Sequence, residues 1–124
     1  MRPDDEATID ALLADIIDWA ARIATYTEGL DYQSFENRQI VQDAVIRCLE
    51  VIGEASGRIL KIAPHFQQHY PTLELQQAYR ARNRTAHGYG SISLPSIWRS
   101  ATFAAPRLAG EATRVLNARR ASGT

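Results

Sequence analysis

A chain of 124 residues has room for one hydrophobic core and not for two, so residues 1–124 are expected to form a single domain. Its hydrophobic share of 45% is ordinary, its formal charges sum to zero, and no run nears the roughly 18 uncharged apolar residues of a membrane span. With an acidic, helix-patterned start unlike a secretory signal, this points to a cytoplasmic protein, and the single cysteine, Cys48, excludes an intramolecular disulfide.

The chain reads as helices throughout. From Asp4 to Tyr26, residues Ile9, Leu12, Leu13, Ile16, Ile17, Ala20, Ile23 and Ala24 recur at three- and four-residue steps, one stripe of an α-helix that Gly29 ends. Ser34 offers an N-cap oxygen for a second long helix running toward Pro64. Ile40, Val41, Val45, Cys48, Ile52, Ala55 and Ile59 form its broad apolar face, which makes Cys48 a core residue. Gly53 and Gly57 lie one turn apart on that helix, so another backbone can approach closely there.

Residues 64–71 read as a connector, and Thr72 as the cap of a third helix through Thr85, with Leu75, Ala78 and Tyr79 facing inward. His65 and His69 in the connector have helical spacing, but with no carboxylate or cysteine beside them they do not make a metal site. Pro95 opens a fourth helix carrying Ile97, Trp98, Ala101, Ala105 and Leu108. Pro106 cannot donate its backbone hydrogen bond and should kink or divide that helix, and the tail from about Ala118 is expected to fray. No strand alternation or repeat competes, so the expected fold is all-α, an up-and-down bundle of four to five helices.

The zero net charge conceals a division. Residues 1–62 hold twelve Asp and Glu against six Lys and Arg, a net of −6; residues 63–124 hold two against eight, a net of +6. Between Glu74 and Glu111 there is no carboxylate, while Arg80, Arg82, Arg84, Arg99 and Arg107 fall inside that window. Such an asymmetry suits self-association or an anionic partner, although thirteen arginines coating a solvated surface would read the same way.

Within the basic half, residues 82–89 read RNRTAHGY. Arg82 continues the inward stripe of the third helix, and a charge there must be paired, since an unpaired buried one costs several kcal/mol. Glu50 and Glu54 are the candidate partners within the chain, though Glu54 also has Arg58 one turn on; from outside, a phosphodiester would suit the guanidinium fork. His87 comes just before Gly88, the expected helix stop, where partial negative charge on the last carbonyls favours a titrating imidazole. Arg82 and His87 point roughly 140° apart and lie about 7.5 Å apart along an ideal helix, so they converge only through the long arginine stem, a loosened helix end or a symmetric partner. A purely structural role for Arg82, His87 and Tyr89 remains the alternative on these grounds.

Arg82, four residues, His87, one residue and Tyr89, with Asn83 following Arg82 and Gly53-Glu54-Ala55 upstream, resemble the motif of the HepT-like toxins of the HEPN superfamily, over most of the chain. The resemblance implies a HEPN-like bundle that forms a homodimer and an endoribonuclease that needs no metal or other cofactor, with Arg82 and His87 as the catalytic pair. It also implies a MntA-like nucleotidyltransferase antitoxin that silences the toxin by AMPylation of the motif tyrosine, here Tyr89. The chain departs from that pattern in having no tryptophan over Leu73 to Ala78 and no acid over Ser91 to Ser93.

RNA carries its own nucleophile, the ribose 2′-hydroxyl, so such a site needs a group that moves protons and a cation for the charge building on the phosphoryl oxygens. His87 fits the first role and Arg82 the second, with Asn83 supporting and Arg80, Arg84 and Arg99 as further RNA contacts. A different class of function, a non-catalytic helical module that docks a nucleotidyltransferase or nucleic acid, uses the same basic surface. An enzyme acting on a free nucleotide is disfavoured, because the chain has no glycine-rich phosphate loop and no acidic pair to hold magnesium.

Overall fold

The computed structural model describes residues 2–87 and 93–123, and only the helical backbone over 84–87. The helices in chain order are α1 (Pro3–Thr27), α2 (Tyr32–Glu36), α3 (Gln39–Ile62), α4 (Phe66–His69), α5 (Leu75–His87), α6 (Leu94–Arg99), a π-helical segment (Ser100–Ala104) and α7 (Ala105–Ser122). They form an all-α bundle in which α3 packs between α1 and α5 while α7 lies along α1.

Proline at the first position and Asp4, Asp5 and Glu6 in the first turn suit the positive end of the α1 dipole. Its predicted stripe is the core: Ile9, Leu13, Ile16 and Ile23 are fully buried, each contributing on the order of 1.5–3 kcal/mol. Gly29 follows with φ +74°, a left-handed value that glycine adopts without strain.

Ser34 does not cap the second long helix. It sits inside α2, where its backbone N–H donates to Asp31 Oδ1 at 2.8 Å. A carboxylate at the helix start is the better acceptor, and the Ser34 amide holds the Asp31 carboxyl below its ordinary pKa. α3 begins at Gln39, tied to α2 through the buried Gln42, whose Nε2 donates to the carbonyls of Phe35 (2.9 Å) and Glu36 (3.1 Å). Its buried stripe starts at Val41, so Ile40 faces outward and is 85% exposed.

Thr72 is likewise not a cap. Its hydroxyl donates to Glu111 Oε2 at 2.8 Å, and the start of α5 is served by Gln67, whose Oε1 accepts from the backbone N–H groups of Leu75 (3.0 Å) and Gln76 (3.2 Å). The same side chain donates through Nε2 to the Leu73 carbonyl at 2.7 Å.

Ser93 caps α6, and Trp98 packs on Phe35 and Tyr32 with ring centroids 5.0 and 6.4 Å away. Pro106 divides the last helix as expected, by widening it: just before the proline the Ala105 N–H reaches the Ser100 carbonyl, five residues back. The looser turn relieves the clash a proline ring makes with the carbonyl four residues before it.

The tail does not fray at Ala118. α7 continues to Ser122, and Arg119, its side chain 13% exposed, donates from Nε to Asp10 Oδ1 at 2.7 Å and also pairs with Glu6, while its guanidinium lies 5.6 Å from the Phe66 ring centroid. Burial opposes the charge on Arg119, but the bonds to Asp10 and Glu6 outweigh it and hold its pKa above the ordinary value.

Candidate functional site: the α3–α5 groove

Two helical stripes face each other across the antiparallel α3–α5 contact. Glu54, Gly57, Arg58 and Lys61 recur at three- and four-residue steps on α3, as do Gln76, Tyr79, Arg80 and Asn83 on α5. The helices can approach because α3 carries glycine at the crossing: a Cβ on Gly53 would lie 2.2 Å from Arg82 Cβ and 2.7 Å from the Ala78 carbonyl oxygen. One turn on, a Cβ on Gly57 would lie 2.4 Å from the Tyr79 ring, which occupies the space glycine leaves.

The stem of Arg82 therefore runs against α3, half-buried, and its Nη1 donates to Asn83 Oδ1 at 3.2 Å. Asn83 is the partner of the guanidinium's described hydrogen bond, where the sequence offers Glu50 and Glu54. Around the two opens a groove of about 630 Å³ whose lining carries Arg58, Lys61, Arg80 and Arg82 against one carboxylate, Glu54. Arg58, Lys61 and Arg80 form no ion pair among the described residues, so the described lining carries an excess of positive charge over the single Glu54 carboxylate. Such a site favours an anion with several oxygens, to which a half-desolvated arginine donates two parallel hydrogen bonds.

Arg80, Arg82 and Asn83 are thus brought together. Arg99 is not with them: it lines a separate cavity on the other flank of α5. The side chains of Arg84 and His87 and the whole of Tyr89 lie outside the described residues, though the α5 backbone runs unbroken from Arg82 to His87. Arg58 and Lys61 are the groove residues that motif reading passes over. The signal for them is their α3 register: Lys61 stands two turns beyond Gly53, on the edge that meets α5.

Cys48 is buried at 1% exposure, and its burial pushes the thiol pKa up, the state of an inert core residue. His69 packs its ring edge-on to Tyr70 at 4.6 Å, and among the described residues no group of three or more His, Cys, Asp or Glu is placed to hold a metal ion. Nor is any helix among them long and apolar enough to cross a membrane.

No solved structure matches the chain. Among curated proteins, "Putative RNase MJ0125" of Methanocaldococcus jannaschii is 32% identical over 108 residues, 87% of this chain and 90% of that protein. "Putative RNase MJ1216" of the same organism is 30% identical over 108 residues, 87% of each chain. "Probable ribonuclease HepT" of Thermococcus cleftensis is 29% identical over 99 residues, 80% of this chain and 87% of its own. The pattern of the family described as "Ribonuclease HepT-like" matches residues 16–115, from the middle of α1 to the last buried turn of α7 and across the whole α3–α5 groove. With that match and those relatives, the chain belongs to the HepT-like ribonuclease family.

Proposed function

We propose that this HepT-like ribonuclease cuts RNA without a metal ion, and that it is the toxin of a toxin–antitoxin pair. One observation carries the reading of the site: half-buried Arg82, its stem seated on Gly53 and its guanidinium bonded to Asn83, in a groove lined by four cations and a single carboxylate. The scissile phosphate sits against Arg82, which neutralises charge on the non-bridging oxygens as the phosphorane forms. Arg58, Lys61 and Arg80 draw the flanking phosphates in.

The 2′-oxygen attacks phosphorus and loses its proton, the P–O5′ bond breaks, and the departing 5′-oxygen takes up a proton. The products are a 2′,3′-cyclic phosphate and a 5′-hydroxyl. His87, five residues beyond Arg82 on the same helix, moves the protons, and a homodimer completes the arrangement from a second copy. Asn83 acts as a positioning residue by holding Nη1 of Arg82. Tyr89 is the residue at which a MntA-like nucleotidyltransferase adds AMP, attaching a bulky anion two residues along the chain from His87 and so blocking RNA.

Two measurements test this. Arg82→Ala and His87→Ala should each abolish cleavage of RNA in EDTA by the folded protein, and unchanged cleavage by either variant refutes the mechanism. The intact mass of the protein made with and without its neighbouring gene product should differ by whole adenylyl units on Tyr89, with only the unmodified form active. A protein that binds the nucleotidyltransferase yet cuts no RNA in either form would be a docking module instead.

A further inference from the structure

On the flank of α5 opposite the Arg82 groove lies a second cavity, of about 380 Å³, between α5, α3 and the π-helical segment. Its floor is apolar, with Leu49 and Ile52 from α3, Ala78 and Ala81 from α5 and Leu108 from α7. At its rim stands Phe103, which the wide turn carries into solvent at 50% exposure. Single π-turns within helices are found frequently at functional sites. The ring has a guanidinium on either side along the helix: Arg99 Cζ is 4.9 Å and Arg107 Cζ 5.9 Å from its centroid.

These two arginines are not equivalent. Arg107 is fixed by an ion pair to Glu74 at 3.3 Å, which makes it a wall of the site, whereas Arg99 forms no ion pair among the described residues. A half-exposed aromatic ring, one cation braced by Glu74, one cation held by its contact over the ring and free to swing from it to a phosphate, and an apolar floor make a receptor for a planar, π-rich group attached to an anion. A cavity of this size is at the small end of those that hold small organic ligands.

We infer that Phe103, flanked by Arg99 and Arg107, is a stacking platform for an unpaired base of the RNA, with Arg99 taking the phosphate next to that base. The inference rests on the reading of the chain as an RNA-cutting enzyme and adds a subsite to it. The platform and the Arg82 groove share α5 as a common wall: Ala78 and Ala81 face one side, Tyr79, Arg80, Arg82 and Asn83 the other. A helix diameter of about 10 Å separates them, a span that a few nucleotides of single strand cross. Stacking would hold the strand beside the scissile linkage and favour loops and tails over duplexes, whose bases are not free to stack on protein.

The test uses the full chain with His87→Ala, so that binding is read without cleavage, and a short unstructured fluorescein-labelled RNA followed by anisotropy. Phe103→Leu, which keeps an apolar side chain and removes the π-face, should weaken binding about tenfold or more, and Phe103→Tyr should restore it. Replacing one nucleotide at a time with an abasic ribose should reveal one position at which the proteins with and without the Phe103→Leu change bind equally.

The platform is refuted if Phe103→Leu leaves affinity unchanged, if the loss is the same at every abasic position, or if the variant alters the mass measured by light scattering, which would make this face a protein interface. Unchanged affinity together with normal RNA cutting by the protein that retains His87 would remove the platform alone. Failure of the unaltered chain to bind or cut any RNA would remove the nuclease reading and the platform with it.

Discussion

Gly53 and Arg82 touch so closely that a methyl group on the glycine would stand 2.2 Å from the arginine's Cβ. The helix carrying the basic motif is therefore seated on the hydrogen atom of a glycine, and its height above α3 is set by what that position lacks.

Gly53→Ala should separate α5 from α3, because the obstructing atoms include a backbone carbonyl that cannot rotate away. Overpacking of this kind costs about 1–3 kcal/mol, only partly offset by the roughly 1 kcal/mol that alanine gains in a helix. A lower Tm and at least a tenfold loss of RNA cleavage are expected. Gly57→Ala should be milder, since it meets the ring of Tyr79, which is 41% exposed and has water to swing into. Thermal melts of the two variants side by side provide the comparison.

Arg82→Lys keeps a positive charge and an apolar stem but replaces a planar fork with a point charge that cannot both bond Asn83 and donate in parallel to a phosphate. Cleavage should fall about a hundredfold with little change in Tm. Asn83→Ala should reduce the rate less, about tenfold, and leave the pH profile of cleavage unmoved, because it alters where Arg82 points and not which group titrates.

Lys61→Ala and Arg58→Ala should each reduce the salt dependence of RNA binding. For single strands the slope of log K against log salt falls by about 0.7 for every phosphate contact removed. Titrations of the His87→Ala protein at several salt concentrations measure it. A slope indifferent to both substitutions would place the strand away from this groove.

Acid should loosen the end of the bundle where Thr72 meets α7. Bonds from Arg114 and Thr72 hold the Glu111 carboxyl below its ordinary 4.5. A carboxyl lowered in the folded state contributes stability that is complete above its unfolded value and is lost as pH falls through the folded one. Melting temperatures of the natural chain should therefore decline below about pH 4.5, and Glu111→Gln should flatten part of that decline while lowering Tm slightly at neutral pH.

The long helices were legible because their information is local. Buried residues at three- and four-residue steps mark α1 and α3, and Gly53 with Gly57 marks the crossing, whatever the rest of the chain does. Helix starts are harder to read: Ser34 falls inside a separate short helix that Asp31 caps, α3 begins five residues later without a side-chain cap, and Gln67 serves Leu75 from eight residues upstream in place of Thr72. The end of α7 could not be read locally at all, because Arg119 is ordered by Asp10, at the other end of the chain. In the site, Arg80, Arg82 and Asn83 share one groove because they share one turn of one helix. Arg99 belongs to a different helix, and its place on the far flank of α5 depends on how the π-turn and Pro106 settle, which no periodicity encodes.

The side-chain amide of Gln67 uses both of its ends, the oxygen for the first amides of α5 and the nitrogen for the Leu73 carbonyl. Glutamate there would keep the acceptor and lose the donor, and lysine the reverse, so neither charged neighbour in shape can substitute. A residue outside the groove thus fixes the origin from which the helix is counted, and Arg82 stands two turns from that origin. Changes at position 67 would consequently be felt as a misplaced guanidinium, although this glutamine lies outside the groove.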